Sequence, residues 1–226
     1  MARLESDDAT HALRVLRLRN GDSIQLFSNG DAFSATIEDV SEGVTVRVLN
    51  KLKSPEPTLQ VTLYQGVPKG DKMEYIVQKC TEAGVKRIVP VNMPRCVARL
   101  AADDDKKRAR WQRIAREAAK QSFRAAVPEI ASPVSISVLP DLLSQHELAL
   151  VPWEEAQNGT LRTLITPDIR NLAIVIGPEG GMSEEDVAPM LAVGAQTITL
   201  GPRIFRTETA GLAAIVAAMT LSGNLE

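Results

Sequence analysis

Ile174-Val175-Ile176-Gly177-Pro178-Glu179-Gly180-Gly181-Met182-Ser183, answered by Leu200-Gly201-Pro202-Arg203-Ile204-Phe205-Arg206-Thr207-Glu208-Thr209-Ala210, decides how this chain folds. Each half reads as a short buried strand that halts at Gly-Pro, where the backbone turns sharply before a helix begins. In an open α/β sheet, ligands collect beyond the carboxyl ends of the strands, and both turns lie there. A single such turn is explained equally well as a corner. Two matched turns, the second followed by Arg-Thr-Glu-Thr, point to a pocket. Gly177, Gly180, Gly181 and Gly201 place no Cβ between backbone and ligand, and Pro178 and Pro202 stiffen the bends. Neither turn carries the Lys-Ser/Thr of a Walker A loop or a Gly-x-Gly-x-x-Gly, so ATP hydrolysis and NAD binding have no motif here.

Outward from these turns, the chain from Leu59 alternates strands and helices, which implies a largely parallel sheet covered on both faces. Leu59, Val61 and Leu63 alternate as a strand. Asp71 and Glu74 form a candidate capping box ahead of a helix with Met73, Ile76, Val77 and Cys80 on its buried face, closed by Gly84. Val85–Val91, Leu148–Val151, Leu172–Ile176 and Gln196–Leu200 are the further strands. Ser183 is the expected cap of the helix after Gly180-Gly181, and Thr207 or a neighbour that of the Ala-rich last helix. The first fifty residues read as all-β. Strands at Ser23–Ser28, Ala32–Asp39 and Val44–Leu49 are separated by turn chemistry at Ser28-Asn29-Gly30-Asp31 and Ser41-Glu42-Gly43. Short strands at this spacing suggest a small barrel. Lys51-Leu52-Lys53-Ser54-Pro55-Glu56-Pro57 reads as a linker, because paired prolines disfavour helix and central strand alike. The expected domains are therefore 1–54 and 58–226.

With 44% apolar residues the 226-residue chain can supply a proper core. It has no apolar run near the roughly twenty residues of a membrane span. Its N-terminus carries Glu5, Asp7 and Asp8 where a signal peptide would be basic then apolar, so the expected location is the cytoplasm. Two cysteines make no disulfide framework, and His11 and His146 lie too far apart in sequence to argue for zinc. The net charge of −2 argues against a generic nucleic-acid binder. Its distribution says more. From Lys106 to Arg124, eight cations face one acid, Glu117. On a helix starting near Asp105, Arg113, Arg116, Lys120 and Arg124 form one stripe, with Trp111, Ile114, Ala118 and Ser122 opposite. Such a run is either a solvated face or a site for a polyanion such as RNA.

The two Gly-Pro blocks, together with Lys69-Gly70-Asp71-Lys72-Met73-Glu74, Gln121-Ser122-Phe123-Arg124 and Val15-Leu16-Arg17-Leu18-Arg19-Asn20-Gly21-Asp22, carry a family resemblance. The chain resembles the bacterial RsmE-type 16S ribosomal RNA uridine-N3 methyltransferases of the SPOUT class. The blocks stand in the family's order along nearly the whole chain. They are weakest between Asn92 and Asp105, where Met93-Pro94-Arg95-Cys96 replaces a polar Ser-Glu-Arg type of segment. The resemblance implies a SPOUT-type trefoil-knotted α/β domain behind a small PUA-like β-barrel that binds RNA. It also implies a homodimer, and 16S rRNA of the small ribosomal subunit as substrate.

The resemblance further implies that S-adenosylmethionine binds among three turns: Val151-Pro152; Gly177, Glu179, Gly180 and Gly181; and Leu200, Gly201, Ile204, Phe205, Arg206 and Thr207. Methylation at uridine N3 requires loss of a proton, which spreads negative charge over O2 and O4, and Arg206 is the candidate to stabilise it. A guanidinium is no base. Glu208 or Glu179 is the candidate proton acceptor, and each is equally a helix-terminal carboxylate that orders its own loop. Gln121 and Arg124 join Arg116 and Lys120 as RNA contacts, with Arg14, Arg17 and Arg19 adding phosphate contacts from the N-terminal domain. Phe123 is either a stacking residue or, more simply, core. Two other readings stand beside this one. One is a SPOUT enzyme acting on another RNA position, such as a ribose 2′-hydroxyl; the other is a non-catalytic RNA-binding assembly factor, which gains nothing from an intact donor pocket.

Overall fold

A computed structural model describes residues 1–41, 43–101, 104–156 and 159–225. Glu42, within the turn expected at Ser41–Gly43, lies outside the described residues. The chain divides into two compact units, Met1–Glu56 with Phe123–Ala126, and Pro57–Ser122 with Val127–Glu226.

The first unit holds β1 (Ala2–Arg3), α1 (Ser6–Thr10) running into a π-helical turn at His11–Val15, β2 (Ser23–Ser28), β3 (Asp31–Asp39) and β4 (Thr45–Leu52). The strands pair antiparallel in the order β1-β4-β3-β2. Register shifts at Ser34/Ala35 and Ile37/Asp39 curl the sheet into a half-barrel. Asn29 and Gly30 both take positive φ between β2 and β3, the geometry that tight hairpins demand and that Asn-Gly supplies. The helical segment departs from the all-β expectation. Ala9 and Ala12 are buried with Ile37, Val44 and Val46, and Leu13 packs beside them, so a short helical period closes one side of the sheet.

The second unit contains β5 (Gln60–Gly66), α2 (Lys72–Glu82), β6 (Arg87–Asn92), α3 (Asp105–Gln121), β7 (Glu129–Ile130), β8 (Val134–Ser135), α4 (Leu139–Leu143), β9 (Leu148–Pro152), α5 (Leu161–Leu164), β10 (Asn171–Ile176), α6 (Glu184–Ala192), β11 (Gln196–Ile198) and α7 (Thr207–Leu221). The strands form one parallel sheet, order β11-β9-β10-β5-β6-β7, with β8 also joined to β6. Alternation along the strands builds two cores. Leu63, Leu172 and Ile174 pack with Ile76, Cys80, Ala214 and Ile215 of α2 and α7. Tyr64, Ala173 and Val175 pack with Leu139, Leu143, Val187 and Met190 of α4 and α6. Burial pushes the Cys80 thiol up to about 12, consistent with an inert core residue. No helix among the described residues is long and apolar enough to cross a membrane.

Two helix starts differ from expectation. Asp71 does not cap α2 with its side chain, because its backbone is not extended (φ −90°, ψ 7°), and Glu74 pairs instead with Arg110 at 2.6 Å. At α7 the cap position is Arg206, without a side-chain cap, and the Thr207 hydroxyl bonds elsewhere. By contrast Ser183 and Asp186 form a reciprocal capping box on α6.

Among the glycines of the second unit, the tightest surroundings lie where β5 ends beside the turn after β10. A Cβ on Gly66 would sit 2.6 Å from Pro178 N and 2.8 Å from Pro178 Cδ. Both are backbone or ring atoms that cannot swing aside. Gly66→Ala is therefore expected to destabilise the unit by about 1–3 kcal/mol, several degrees in Tm, measured by thermal unfolding. An unchanged Tm would show that the turn is free to move off the strand.

Candidate functional site

Beyond the carboxyl ends of the central strands lies a cleft of about 400 Å³, within the range of small-molecule sites. Three chain segments and one helix line it. The end of β9 gives Pro152, Trp153 and Glu154; the turn after β10 gives Gly177 to Met182; the approach to α7 gives Ile204 to Glu208 and Ala210; α2 gives Lys72. Of the residues assigned to the methyl donor from sequence, Pro152, Gly177, Glu179, Gly180, Gly181, Ile204, Phe205, Arg206 and Thr207 stand on this lining. Val151, Leu200 and Gly201 do not. Val151 is fully buried in the sheet and faces the α4–α6 core. Leu200 packs against the other core. Gly201 is exposed with φ +105°, turning the chain rather than meeting the cleft.

The Gly-rich turn is fixed from several sides. Gly181 takes φ +68° and its N–H donates to Pro178 O at 2.9 Å. Trp153 Nε1 donates to Met182 O at 3.0 Å. The Thr207 hydroxyl donates to Gly177 O at 2.6 Å, so the first residue of α7 is bonded to the start of the turn. At Gly180 the missing side chain makes room for protein. A Cβ there would lie 2.9 Å from Arg95 Cβ, and Arg95 Nη1 donates to Gly180 O at 3.2 Å. The segment where the family pattern is weakest thus braces the turn.

Lys72, quoted in the sequence as part of the Lys69–Glu74 block but given no role there, lines the cleft together with Trp153 and Glu154, which the sequence did not single out. Its ammonium lies 2.9 Å from Glu179 Oε1 and 3.2 Å from Glu208 Oε2, the latter an ion pair without hydrogen-bond alignment. Lys69 N–H also donates to Glu179 Oε1 at 3.0 Å. Partial burial raises the proton affinity of Glu179, but the Lys72 bond and the amides of Glu179 and Lys69 outweigh it, and the carboxyl is held below its ordinary range. Glu208 is held low first by its own backbone N–H and then by Lys72, against some burial, with a contribution from the Arg206 charge. The bond to Glu179 leads the causes that keep Lys72 protonated above its usual range. Both carboxylates are therefore ionised at neutral pH and weak as bases. One signal for Lys72 was present in the sequence: a lysine opening a helix opposes the dipole, so it needs an anionic partner nearby.

The candidate nucleic-acid contacts fall in both units. On α3, Arg113, Arg116, Lys120 and Gln121 are exposed, while Trp111, Ala115 and Ala118 are buried. Lys107, Arg108 and Arg110 pair with Asp104, Asp105 and Glu74, whereas Arg113 and Arg116 form no ion pair among the described residues. Arg124 is not on the stripe. The helix ends at Gln121, and Phe123 turns the backbone at φ +55°. In the first unit Arg124 Nη2 then donates to Glu56 Oε2 at 2.6 Å, and the amides of Ala125 and Ala126 donate to Glu56 Oε1. The Arg124 side chain is only 7% exposed, so its charge is neutralised within the protein. Phe123 is 67% exposed and meets Phe27 edge-on, which excludes the core role. Arg14, Arg17 and Arg19 are exposed in the first unit.

Comparison with known proteins follows the same lines. Residues 54–219 match the RNA methyltransferase domain model, and residues 4–49 the RNA methyltransferase PUA domain model. The chain is 35% identical over 227 residues to ribosomal RNA small subunit methyltransferase E of Bacillus subtilis (strain 168), covering 95% of this chain and 88% of that protein. It is 32% identical to the protein of the same name from Mycobacterium bovis, over 99% of this chain and 88% of the relative. The crystal structure of ribosomal RNA small subunit methyltransferase E from Neisseria gonorrhoeae bound to S-adenosyl methionine superposes with a TM-score of 0.80 at 34% identity, covering 97% and 91% of the two chains. The fold is the SPOUT-type knotted α/β domain with a PUA-like half-barrel. Its parallel sheet ends in a cleft lined by the Gly177–Met182 turn and the start of α7, and sequence and architecture agree over nearly its whole length: this chain belongs to the ribosomal RNA small subunit methyltransferase E family of RNA methyltransferases.

Proposed function

We propose that the chain is an S-adenosylmethionine-dependent methyltransferase that methylates N3 of one uridine in 16S ribosomal RNA, acting in the cytoplasm as a homodimer. The observation that carries this reading is the cleft between the Gly177–Met182 turn and the start of α7, in a chain 34% identical to a relative crystallised with S-adenosyl methionine. The residues present suit that ligand. Glu154, Glu179 and Glu208 offer negative charge to its sulfonium and ammonium groups, Ile176, Ile204 and Phe205 offer apolar surface to its adenine, and the Gly177–Gly181 backbone offers amides and carbonyls close at hand. The ligand supplies a methyl group already activated on sulfur.

The protein's own residues then have two tasks, alignment and charge stabilisation. Alignment comes from the braced turn, and near-attack positioning supplies several kcal/mol. Arg206 stands at the cap of α7, where the first amides of a 15-residue helix add positive potential. In this reading its guanidinium, exposed in the free protein, opposes the charge that develops on O2 and O4 as N3 loses its proton. Glu179 and Glu208, held ionised, serve as an anionic frame around Lys72 that keeps the turn and α7 in register. Arg113, Arg116, Lys120 and Gln121 give α3 an RNA-facing surface, and Arg14, Arg17 and Arg19 give the PUA-like unit another.

In 16S ribosomal RNA from cells lacking this protein, mass spectrometry should find one uridine short of a methyl group, and retention of every methyl would remove the reading. Returning an Arg206→Ala variant should restore little of it. In single-turnover assays that variant should transfer methyl on the order of a hundredfold more slowly at saturating substrates, with cofactor and RNA dissociation constants nearly unchanged.

The frame around Lys72 predicts a pH dependence. Because Glu179 and Glu208 are depressed in the folded state, the stability they contribute is present above the unfolded carboxylate range and lost as pH falls through the folded values. The stability gap between the parent and Lys72→Met should hold steady from about pH 6 to 8 and close below about pH 4. A gap that persists at low pH would mean that Lys72 acts by packing alone. For the α3 surface, Arg113→Glu with Arg116→Glu should lower the slope of log affinity for RNA against log salt by about one for each phosphate that is no longer neutralised. An unchanged slope would return that face to bulk solvent.

A further inference from the structure

We propose that Gln65 is a positioning residue for methyl transfer: through the Thr207 hydroxyl it locks the donor turn at Gly177 to the first residue of α7, and so sets Arg206 and Glu208, on either side of Thr207, against that turn. This rests on the reading of the cleft as the methyl-donor site.

Gln65 is fully buried on β5, one residue before Gly66. Alternation along β5 places it on the same face as Val61 and Leu63, toward α7. Helix α7 lies close to the strand there because Gly211 has no side chain. A Cβ at 211 would stand 3.3 Å from both Leu63 methyls and 3.5 Å from Gln65 Oε1. A buried amide in such a setting costs stability unless it is bonded, and this one is bonded on its nitrogen only. Nε2 donates to Gly66 O at 3.1 Å and to Thr207 Oγ1 at 2.9 Å, while Oε1 has no hydrogen-bond partner.

That lopsided pattern gives the network a direction. Gly66 O can only accept, so the amide nitrogen must face it, and the flipped orientation would set two acceptors against each other. With Gln65 donating to Thr207 Oγ1, the hydroxyl proton of Thr207 is left for Gly177 O, 2.6 Å away. The relay runs one way, from the amide through the hydroxyl to the carbonyl that opens the Gly-rich turn. A leucine or methionine at 65 would fill the core without an orphaned oxygen, so stability alone does not account for glutamine. What the amide adds is a fixed rotor at Thr207, and with it a fixed distance between turn and helix.

The test is a double-mutant cycle read in single-turnover methyl transfer at saturating cofactor and RNA, with Tm measured alongside. Gln65→Met keeps length and apolar volume and removes both N–H groups. Its rate should fall on the order of a hundredfold, and Thr207→Val should do the same. The double variant should be no slower than either alone, because all three break one relay. Gln65→Glu should be as slow as Gln65→Met, since a carboxylate would draw the Thr207 proton away from Gly177. Additive losses, or a parent-like rate at saturating cofactor in Gln65→Glu or in Gln65→Met, would each overturn the proposal. If substitutions at Gln65 prevent folding, the comparison moves to the other end of the relay, where Thr207→Ser should be at least about tenfold faster than Thr207→Val; equal rates would overturn it. A parent protein that neither binds S-adenosylmethionine nor methylates RNA would remove the functional reading itself, an outcome separate from all of these.

Discussion

The contact between the end of β5 and the turn that follows β10 is the constraint on which the site depends. Gly66 meets Gly177-Pro178 so closely that no Cβ fits between them. Two strands that are neighbours in the sheet thereby bring the start of the Gly-rich turn against the middle of the second unit. The turn cannot drift outward without opening the strand pair that runs in register from Asn171 and Gln60 to Ile176 and Gln65. Interiors of this density pass such a restraint on to whatever is bonded next, here Thr207 and the start of α7. Pre-organisation of this kind is what a reaction limited by alignment requires.

Charge at the cleft is arranged around one lysine. An ammonium between two carboxylates keeps both ionised and weakens them as bases, while the lysine itself stays protonated. The carboxylates belong to the turn and to α7, and the lysine to α2, so the ion pairs join three elements. Exposed ion pairs contribute little to stability, and this set is a third or less exposed, so its effect lies in geometry more than in energy. It also leaves Arg206 as the cation at the helix start that no ion pair among the described residues occupies.

In the first unit a different carboxylate plays a comparable part. Glu56 gathers the Arg124 guanidinium and the amides of Ala125 and Ala126, tying residues 68 to 70 positions away into the half-barrel. Phe123 is held in a left-handed conformation that costs an aromatic residue energy and that the neighbouring bonds sustain. The segment that sequence periodicity assigned to a helical stripe is therefore part of another structural unit.

By itself the sequence determined what short-range patterns encode. Alternation located the longer strands but not the two-residue β1, β7 and β8; Asn29-Gly30 located the hairpin, Ser183 the cap of α6, Gly84 the end of α2, and the spacing of Arg113, Arg116 and Lys120 one face of α3. The Gly177-Pro178 turn and the Ile204–Thr207 segment that follows the second Gly-Pro located the cleft, because turn chemistry is local and strand ends in a parallel sheet share one side. Only the tertiary structure decided which side chains meet across it. Lys72 finds Glu179 at a separation of 107 residues and Gln65 finds Thr207 at 142, and no period relates such positions. Val151 and Leu200, strand ends assigned to the donor turns, turn away from the cleft, Val151 into one core and Leu200 partly buried against the other, since a residue at a strand end faces ligand or interior according to the pleat. Gly66, silent in the sequence as one glycine after a strand, is necessary because of an atom of Pro178 that only the folded sheet brings within 2.6 Å of where its Cβ would be.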